Sequence, residues 1–497
     1  MPDSSIPPQS APFDFGEFDA LAHDPIEQKR LIGKWLDDAR AAPVFWRMVE
    51  TRGGLEVGDW KFVAEPSEVV RILRDDAQFL VREYDRRMRA ASGRFYLGMD
   101  GADHERDAAL GDIIPSWNAP EQSSDAYPAP RRAPDHAALA QVVAAAAAAS
   151  RAVLAGLGRR TRLARLTRPE APCQCAIAEV LGPVLDACAA VGFGVSGPSA
   201  YSLLSWGNDI AQYNFRVNAD AANRSRARHA SALYRAHVLD QIARLNQPAP
   251  DPQQPALDEI ERTPREGPYG AAQRDALRRC VERLRAHLAR DEYAAAQASG
   301  RDDAERRREA PARIGRAPAA VSDDDVARNL VGIVTGSLGA TAKAFTEGLA
   351  AYSREQAEPA GPIAWPGPEA RLDFPLYELV IARPLARLRR GSLDAVYRTY
   401  AGPDQRSREI WLRDGDTVVV WLGGTLQESL ERLQPDRLFG IGVHRCPGMD
   451  MGKAIMHGIL QTLSRLHGSD SPRLTRIEGD PALAFARPAA LEALANA

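Results

Sequence analysis

The run Phe439-Gly440-Ile441-Gly442-Val443-His444-Arg445-Cys446-Pro447-Gly448 holds the side chains and spacing best suited to chemistry. Gly440 and Gly442 permit a tight turn and a close approach of backbone to a flat ligand. Cys446 follows where a helix is expected to begin, and Pro447 suits a first helical position because no N–H is needed there. Free backbone N–H groups and the positive end of the helix dipole favour an anion at such a place. They lower a thiol pKa from its ordinary value of about 8.5. The sequence thus builds a preorganised thiolate, shielded by glycines and an aromatic ring. The remaining cysteines are Cys173, Cys175, Cys188 and Cys280. An odd, sparse set in a large chain is no disulfide framework. Cys173-Gln174-Cys175 has no second Cys/His pair near it, so it reads as two thiols and not as a metal site.

The pattern F-G-x-G-x-H-x-C-x-G resembles the heme-binding loop of the cytochromes P-450, with all six fixed positions present. The resemblance implies heme b, with Cys446 as the axial thiolate ligand, which pushes electron density onto the iron. It implies that Phe439 packs beside the sulfur, that His444 reaches a heme propionate, and that Gly442 and Gly448 allow close approach to the porphyrin. Phe95–His104 resembles the approach to a propionate-binding helix, which makes His104 a second propionate ligand. The arginine usual four residues later is Ala108 here, with Arg106 the nearest substitute. Val396-Tyr397-Arg398 resembles a strand whose arginine pairs with a propionate. The resemblance covers nearly the whole chain. It implies a mainly α fold with small β-sheets, a large helical domain plus a smaller β-rich region.

Two stretches depart from the family pattern. The long helix expected over Ser322–Ser353 should carry an acid–alcohol pair after a small-residue pair, a relay for protons. Aligned on Thr335-Gly336, those positions hold Leu338 and Gly339, with Ala340 and Thr341 following. Asn329, Gly336 and Thr341 are therefore the long-helix candidates for a catalytic role. The E-x-x-R helix that supports the heme aligns on Pro384-Leu385-Ala386-Arg387, with proline in place of the acid. Glu259–Arg262 and Glu282–Arg285 have the same spacing but read as surface charge pairs. The expected function is a monooxygenase oxidising a small organic substrate with dioxygen and electrons from separate ferredoxin and ferredoxin reductase partners. Loss of the acid–alcohol pair keeps a peroxygenase or hydroperoxide isomerase open, and a non-catalytic heme-binding protein as well.

The elements that must position these residues can be placed by periodicity and turn signals. Ser322 caps the long helix, Asp323, Asp324 and Asp325 suit its positive end, and Val326, Leu330, Val334, Leu338, Phe345 and Leu349 fall at helical spacing. Gly332, Gly336 and Gly339 interrupt it, at about 1 kcal/mol each relative to Ala. Either a bulky ligand or a closely packed helix must lie against that face. Further helices are expected over Pro25–Ala42, Pro66–Asp75, Ala137–Leu157, Pro198–Arg216, Ser225–Leu245, Ala271–Gln297 and Gly448–Leu466. Strands are expected at Pro43–Trp46, at Trp60–Val63 and before Leu422. The tail after Leu466 reads as loop-rich, with short apolar runs.

The chain has 497 residues, 45% hydrophobic and 26% charged, enough for a large core. A single P-450-like domain is expected over 21–497, with insertions near 118–135, 247–270 and 300–318 and a disordered segment at 1–20. A net charge of −3 argues against a nucleic-acid partner. Residues 1–15 lack a basic region followed by an apolar one, and the alanine run at 144–149 is too weakly apolar to span a bilayer. A soluble, cytoplasmic protein with no membrane partner is expected.

Overall fold

The computed structural model describes residues 15–37, 41–93, 95–101, 104, 113–114, 136–215, 219–245, 270–288, 321–355, 395–407, 410–422, 440–466, 468–477 and 480–496. Phe439, Arg106, Ala108, the 118–135 and 300–318 insertions, nearly all of 247–270 and the stretch containing Pro384 and Arg387 lie outside them.

The described helices are α1 Phe15–Ala20, α2 Pro25–Asp37, α3 Ala41–Thr51, α4 Pro66–Arg74, α5 Arg82–Ala91, α6 His136–Arg165, α7 Ile177–Phe193, α8 Ser202–Phe215, α9 Ala221–Leu245, α10 Gly270–Leu288, α11 Asp323–Glu355, α12 Met449–Leu463 and α13 Pro488–Ala493. The strands are β1 Leu55–Val57, β2 Trp60–Val63, β3 Phe79–Leu80, β4 Gln174–Ala176, β5 Ala395–Tyr400, β6 Gln405–Arg406, β7 Trp411–Leu412, β8 Thr417–Trp421, β9 Arg473–Ile477 and β10 Asp480–Ala484. A five-stranded sheet runs β1-β2-β8-β5-β3, a three-stranded one β4-β10-β9, and β6 pairs with β7.

Helices carry most of the core. α12 lies against α6, where a Cβ on Gly458 would meet Ala146 Cβ and Val143 O at 2.5 Å. Only glycine lets two helix backbones approach so closely. α6 is the one described helix long and apolar enough to cross a bilayer, and here it packs against α7, α12 and α13. α11 is capped by Ser322, whose Oγ accepts the Asp325 N–H at 3.1 Å. Its first turn is tied to neighbours by Arg235–Asp324 and Arg285–Asp323 ion pairs. Arg285 therefore pairs with the long helix, while Glu282 is exposed.

Several expectations are corrected. Pro43–Trp46 is not a strand but part of α3. Phe45, Trp46 and Val49 are fully buried while Val44 is 41% exposed, a helical face and not strand alternation. Pro43 sits in the first turn, where its missing N–H costs nothing. Trp46 stacks flat on Trp421 at 5.7 Å and Phe45 meets Phe62 edge-on at 5.6 Å, fixing α3 to the large sheet. Within the segment expected to be disordered, residues 15–20 form α1, anchored by buried Phe18. The tail expected as loop-rich holds β9 and β10. Helix α7 was hidden by Gly182 and Pro183. Pro183 leaves the Glu179 carbonyl without its helical donor, and the Tyr201 hydroxyl supplies one at 3.3 Å. The Tyr201 ring fills the space over Gly182, where a Cβ would lie 2.3 Å away.

Candidate heme-thiolate site

The cysteine loop is built by its glycines. Gly440 and Gly442 have φ of 90° and 76°, the left-handed region that glycine alone enters freely. Residues Gly442–His444 form a 3-10 turn closed by Arg445 N–H donating to Gly442 O at 3.0 Å. A Cβ on Gly442 would lie 2.4 Å from the Leu73 carbonyl. That glycine therefore seats the loop on the end of α4. The last long helix begins at Met449, with Gly448 as its N-cap. Pro447 thus precedes the first helical position, and Cys446 lies one turn ahead of it, still before the positive end of α12. Cys446 is exposed, whereas Cys173, Cys175, Cys188 and Cys280 are buried. Burial pushes the Cys175 and Cys280 thiols up to about 12, so they stay protonated and inert.

Beside this loop the fold brings together three groups able to carry positive charge. His444 and His104 meet edge-on with ring centroids 4.3 Å apart. His104 is buried, and the His444 side chain is 9% exposed. Arg398 is buried on the inner strand β5, between β8 and β3. Its guanidinium donates to Tyr397 O at 2.9 Å. No carboxylate lies within ion-pair distance of it among the described residues. Burial lowers its pKa, opposed by nearby Tyr84 and Asp100. Neither buried ring nitrogen of His444 has a hydrogen-bond partner, and Asp100 Oδ1 stands 3.6 Å from Nε2. Burial also lowers the His444 pKa, against the attraction of Asp100. A buried guanidinium using few of its five donors, next to two imidazole nitrogens without hydrogen-bond partners, suits an anionic ligand. The carboxylates of a heme fit it, and Cys446 supplies the sulfur.

The glycines of α11 accept protein neighbours. A Cβ on Gly332 would meet the Phe95 ring at 2.7 Å, and one on Gly336 would meet Leu97 at 3.6 Å. With Gly93 against Arg328, positions 93, 95 and 97 ride on 328, 332 and 336, one stripe of the helix. One turn on, the helix turns to α12. A Cβ on Gly448 would be 3.5 Å from Ser337 Oγ and 3.8 Å from Cys446 Sγ, and one on Gly452 would be 3.2 Å from Thr341 Oγ1. Ser337 donates to Ile333 O at 3.0 Å, Thr341 to Ser337 O at 2.6 Å and Thr346 to Ala342 O at 2.9 Å. Thr335 differs, since its buried hydroxyl has no partner. Asn329 donates to Asp325 O at 2.9 Å, while its buried Oδ1 is unpartnered.

Thr335 is the residue the sequence reading passed over. Counting the small-residue, acid, alcohol spacing from Val331-Gly332 and not from Thr335-Gly336 puts Val334 at the acid position and Thr335 at the alcohol. The signal was available, but two glycines four apart lie on one helical face and spacing alone does not choose between them.

No family model and no curated protein matches the sequence. Solved structures do match the fold. CalO2 aligns at TM-score 0.53 and 15% identity, over 96% of this chain and 100% of its own. P450BioI, solved with hexadec-9Z-enoic acid ligated acyl carrier protein, aligns at 0.54 and 11%, over 91% and 100%. A mutant of P450 EryK in complex with erythromycin B aligns at 0.55 and 14%, over 90% and 97%. The chain has the cytochrome P450 fold. In this fold His104 packs on His444, two residues from Cys446, and Arg398 is near enough to His444 to act on its charge.

Proposed function

We propose that the chain is a heme-thiolate oxidoreductase, holding heme b through Cys446 and the heme carboxylates through Arg398, His104 and His444. The observation that supports this best is the buried Arg398 guanidinium, with no carboxylate within ion-pair distance among the described residues, beside the two histidines and the cysteine loop. A porphyrin carboxylate would satisfy Arg398 and His444, and the helix dipole at α12 favours the thiolate form of Cys446. When bound, the heme supplies electron transfer and oxygen activation, strengthened by the thiolate.

The chain's own residues do the rest. Phe95 and Leu97 close the stripe of α11 and exclude water. Thr335 offers a buried hydroxyl able to hold and pass a proton. Val334 and Leu338, fully buried and apolar, cannot, so protons come from water or substrate. The first reading is a monooxygenase acting on a small organic molecule, with dioxygen and separate electron donors of the ferredoxin kind. Apolar residues at both candidate acid positions favour a second reading, a peroxygenase or hydroperoxide isomerase.

The test begins with the reduced, carbon-monoxide-bound absorption spectrum. Wild type gives the thiolate-type band, and Cys446→Ser removes it. A wild-type protein that stays colourless when heme is supplied defeats the proposal. Turnover driven by peroxide alone supports the second reading, and turnover only with a reductase system supports the first.

A further inference from the structure

Asp100 sits where three parts of the pocket meet, and the reading above assigns it no task. Both of its carboxylate oxygens lie 2.9 Å from the Val81 N–H, at the start of α5. Its backbone carbonyl accepts the His104 N–H at 3.4 Å. Its side chain faces His444 Nε2 of the cysteine loop at 3.6 Å. Gly101 follows with φ of 55°, turning the chain away and leaving the carboxylate in place.

The unit that Asp100 holds covers one stripe of α11. α5 and the turn Tyr96–Gly98 pack as one piece, since a Cβ on Gly98 would meet Met88 Sδ at 2.8 Å and Asp85 N at 3.0 Å. Phe95 and Leu97, on that turn and just before it, line Gly332 and Gly336 of α11. The far end of the unit is fastened separately. Arg87 donates to Tyr213 O at 3.2 Å and Asn214 to Ser92 Oγ at 3.2 Å. At the near end the Val81 N–H donates to Asp100, and the Tyr84 hydroxyl in the first turn accepts the Tyr397 N–H at 3.0 Å. A carboxylate accepting a backbone N–H at a helix start is a strong, charge-assisted bond.

We infer that Asp100 is a positioning residue that ties α5 and the Phe95–Leu97 turn to the cysteine loop. This rests on the heme-thiolate reading. Cutting the tie loosens the start of α5 and the Phe95–Leu97 turn while leaving Cys446 in place to bind the iron. Bulky molecules then enter faster, and small ones are unaffected.

The experiment follows binding of phenylimidazole to the ferric holoprotein and of carbon monoxide to the ferrous one, by stopped flow. Asp100→Ala raises the phenylimidazole association rate several-fold and leaves the carbon monoxide rate within a factor of about two, a difference a merely destabilised protein would not show. Asp100→Asn keeps an amide oxygen for the Val81 N–H and stays near wild type. Val81→Pro removes the donor N–H while keeping an apolar side chain, and reproduces the Ala result. Hydrogen exchange of the 81–91 amides, read in heme-loaded and heme-free protein, speeds up in the Ala and Pro variants. Wild-type rates and exchange in Asp100→Ala overturn the inference, as does an Asn variant that behaves like Ala. A wild-type chain that takes up no heme defeats the heme reading instead, and exchange in the heme-free chain then decides whether Asp100 anchors α5.

Discussion

A guanidinium buried in the middle of a sheet is costly until an anion joins it. Arg398 should therefore act with opposite signs in the two forms of the protein. Arg398→Met removes a desolvated charge from the heme-free chain and raises its stability, on the order of 1–4 kcal/mol in similar replacements. The same change weakens heme binding at least about tenfold, because one charge-assisted pair of about 1.5–3 kcal/mol is lost. Denaturant midpoints with and without heme, plus heme transfer to a scavenger, check both signs. Equal effects in the two forms sink the argument. Thr335→Val is smaller in volume terms and different in kind. It leaves heme uptake and the carbon monoxide spectrum intact. In a reductase-driven reaction it lowers coupling between electron consumption and product, whereas peroxide-driven turnover is little changed. At this scale the sequence spoke most clearly for the Cys446 loop, whose six fixed positions sit together, while His104 and Arg398 rested on looser resemblances far from it in the chain. It was ambiguous for Thr335, because Gly332 and Gly336 share one helical face.

Elements meet where side chains are missing. Gly332 should gain about 1 kcal/mol of helix propensity on becoming alanine. The added methyl, though, lands 2.7 Å from the Phe95 ring, and overpacking of this kind costs about 1–3 kcal/mol. Gly332→Ala is predicted to destabilise the protein, and Phe95→Leu to reverse most of that loss. A double-mutant cycle on unfolding free energy measures the coupling, and additive effects refute the contact. The same logic explains which elements could be read from sequence. α11 was legible because its apolar spacing, its Ser322 cap and its acidic first turn agree. α3 was not, because Val44-Phe45-Trp46 is a short apolar run whose period is visible only with Val49 included. α7 was not, because Gly182 and Pro183 look like a break until Tyr201 is seen filling both the gap and the missing hydrogen bond. The glycines of α11 pointed to a close neighbour, and only the fold shows that it is Phe95 and Leu97.

The molecule as a whole joins a helical body to a sheet that carries Arg398, and the cysteine loop lies between them. The body is assembled around α12, whose residues are nearly all buried. Its His457 is among them, and burial pushes the imidazole below its ordinary 6.5. An unfolded chain takes up a proton at His457 as the pH falls through about 6.5, while the folded chain resists until its own lower pKa is reached. Over that window the unfolded state binds more protons, so stability falls as pH falls, by at most about 1.4 kcal/mol per pH unit for one group. Above 6.5 neither state is protonated there and the contribution is flat. His444 is shifted in the same direction in the heme-free chain and adds to the slope. Replacing His457 with Gln should flatten the acid side of the stability profile between about pH 5 and 6.5 without moving the neutral side. Denaturant midpoints at three pH values in wild type and variant provide the measurement. Parallel profiles would mean that α12 opens to solvent at His457 and does not form the closed centre of the body.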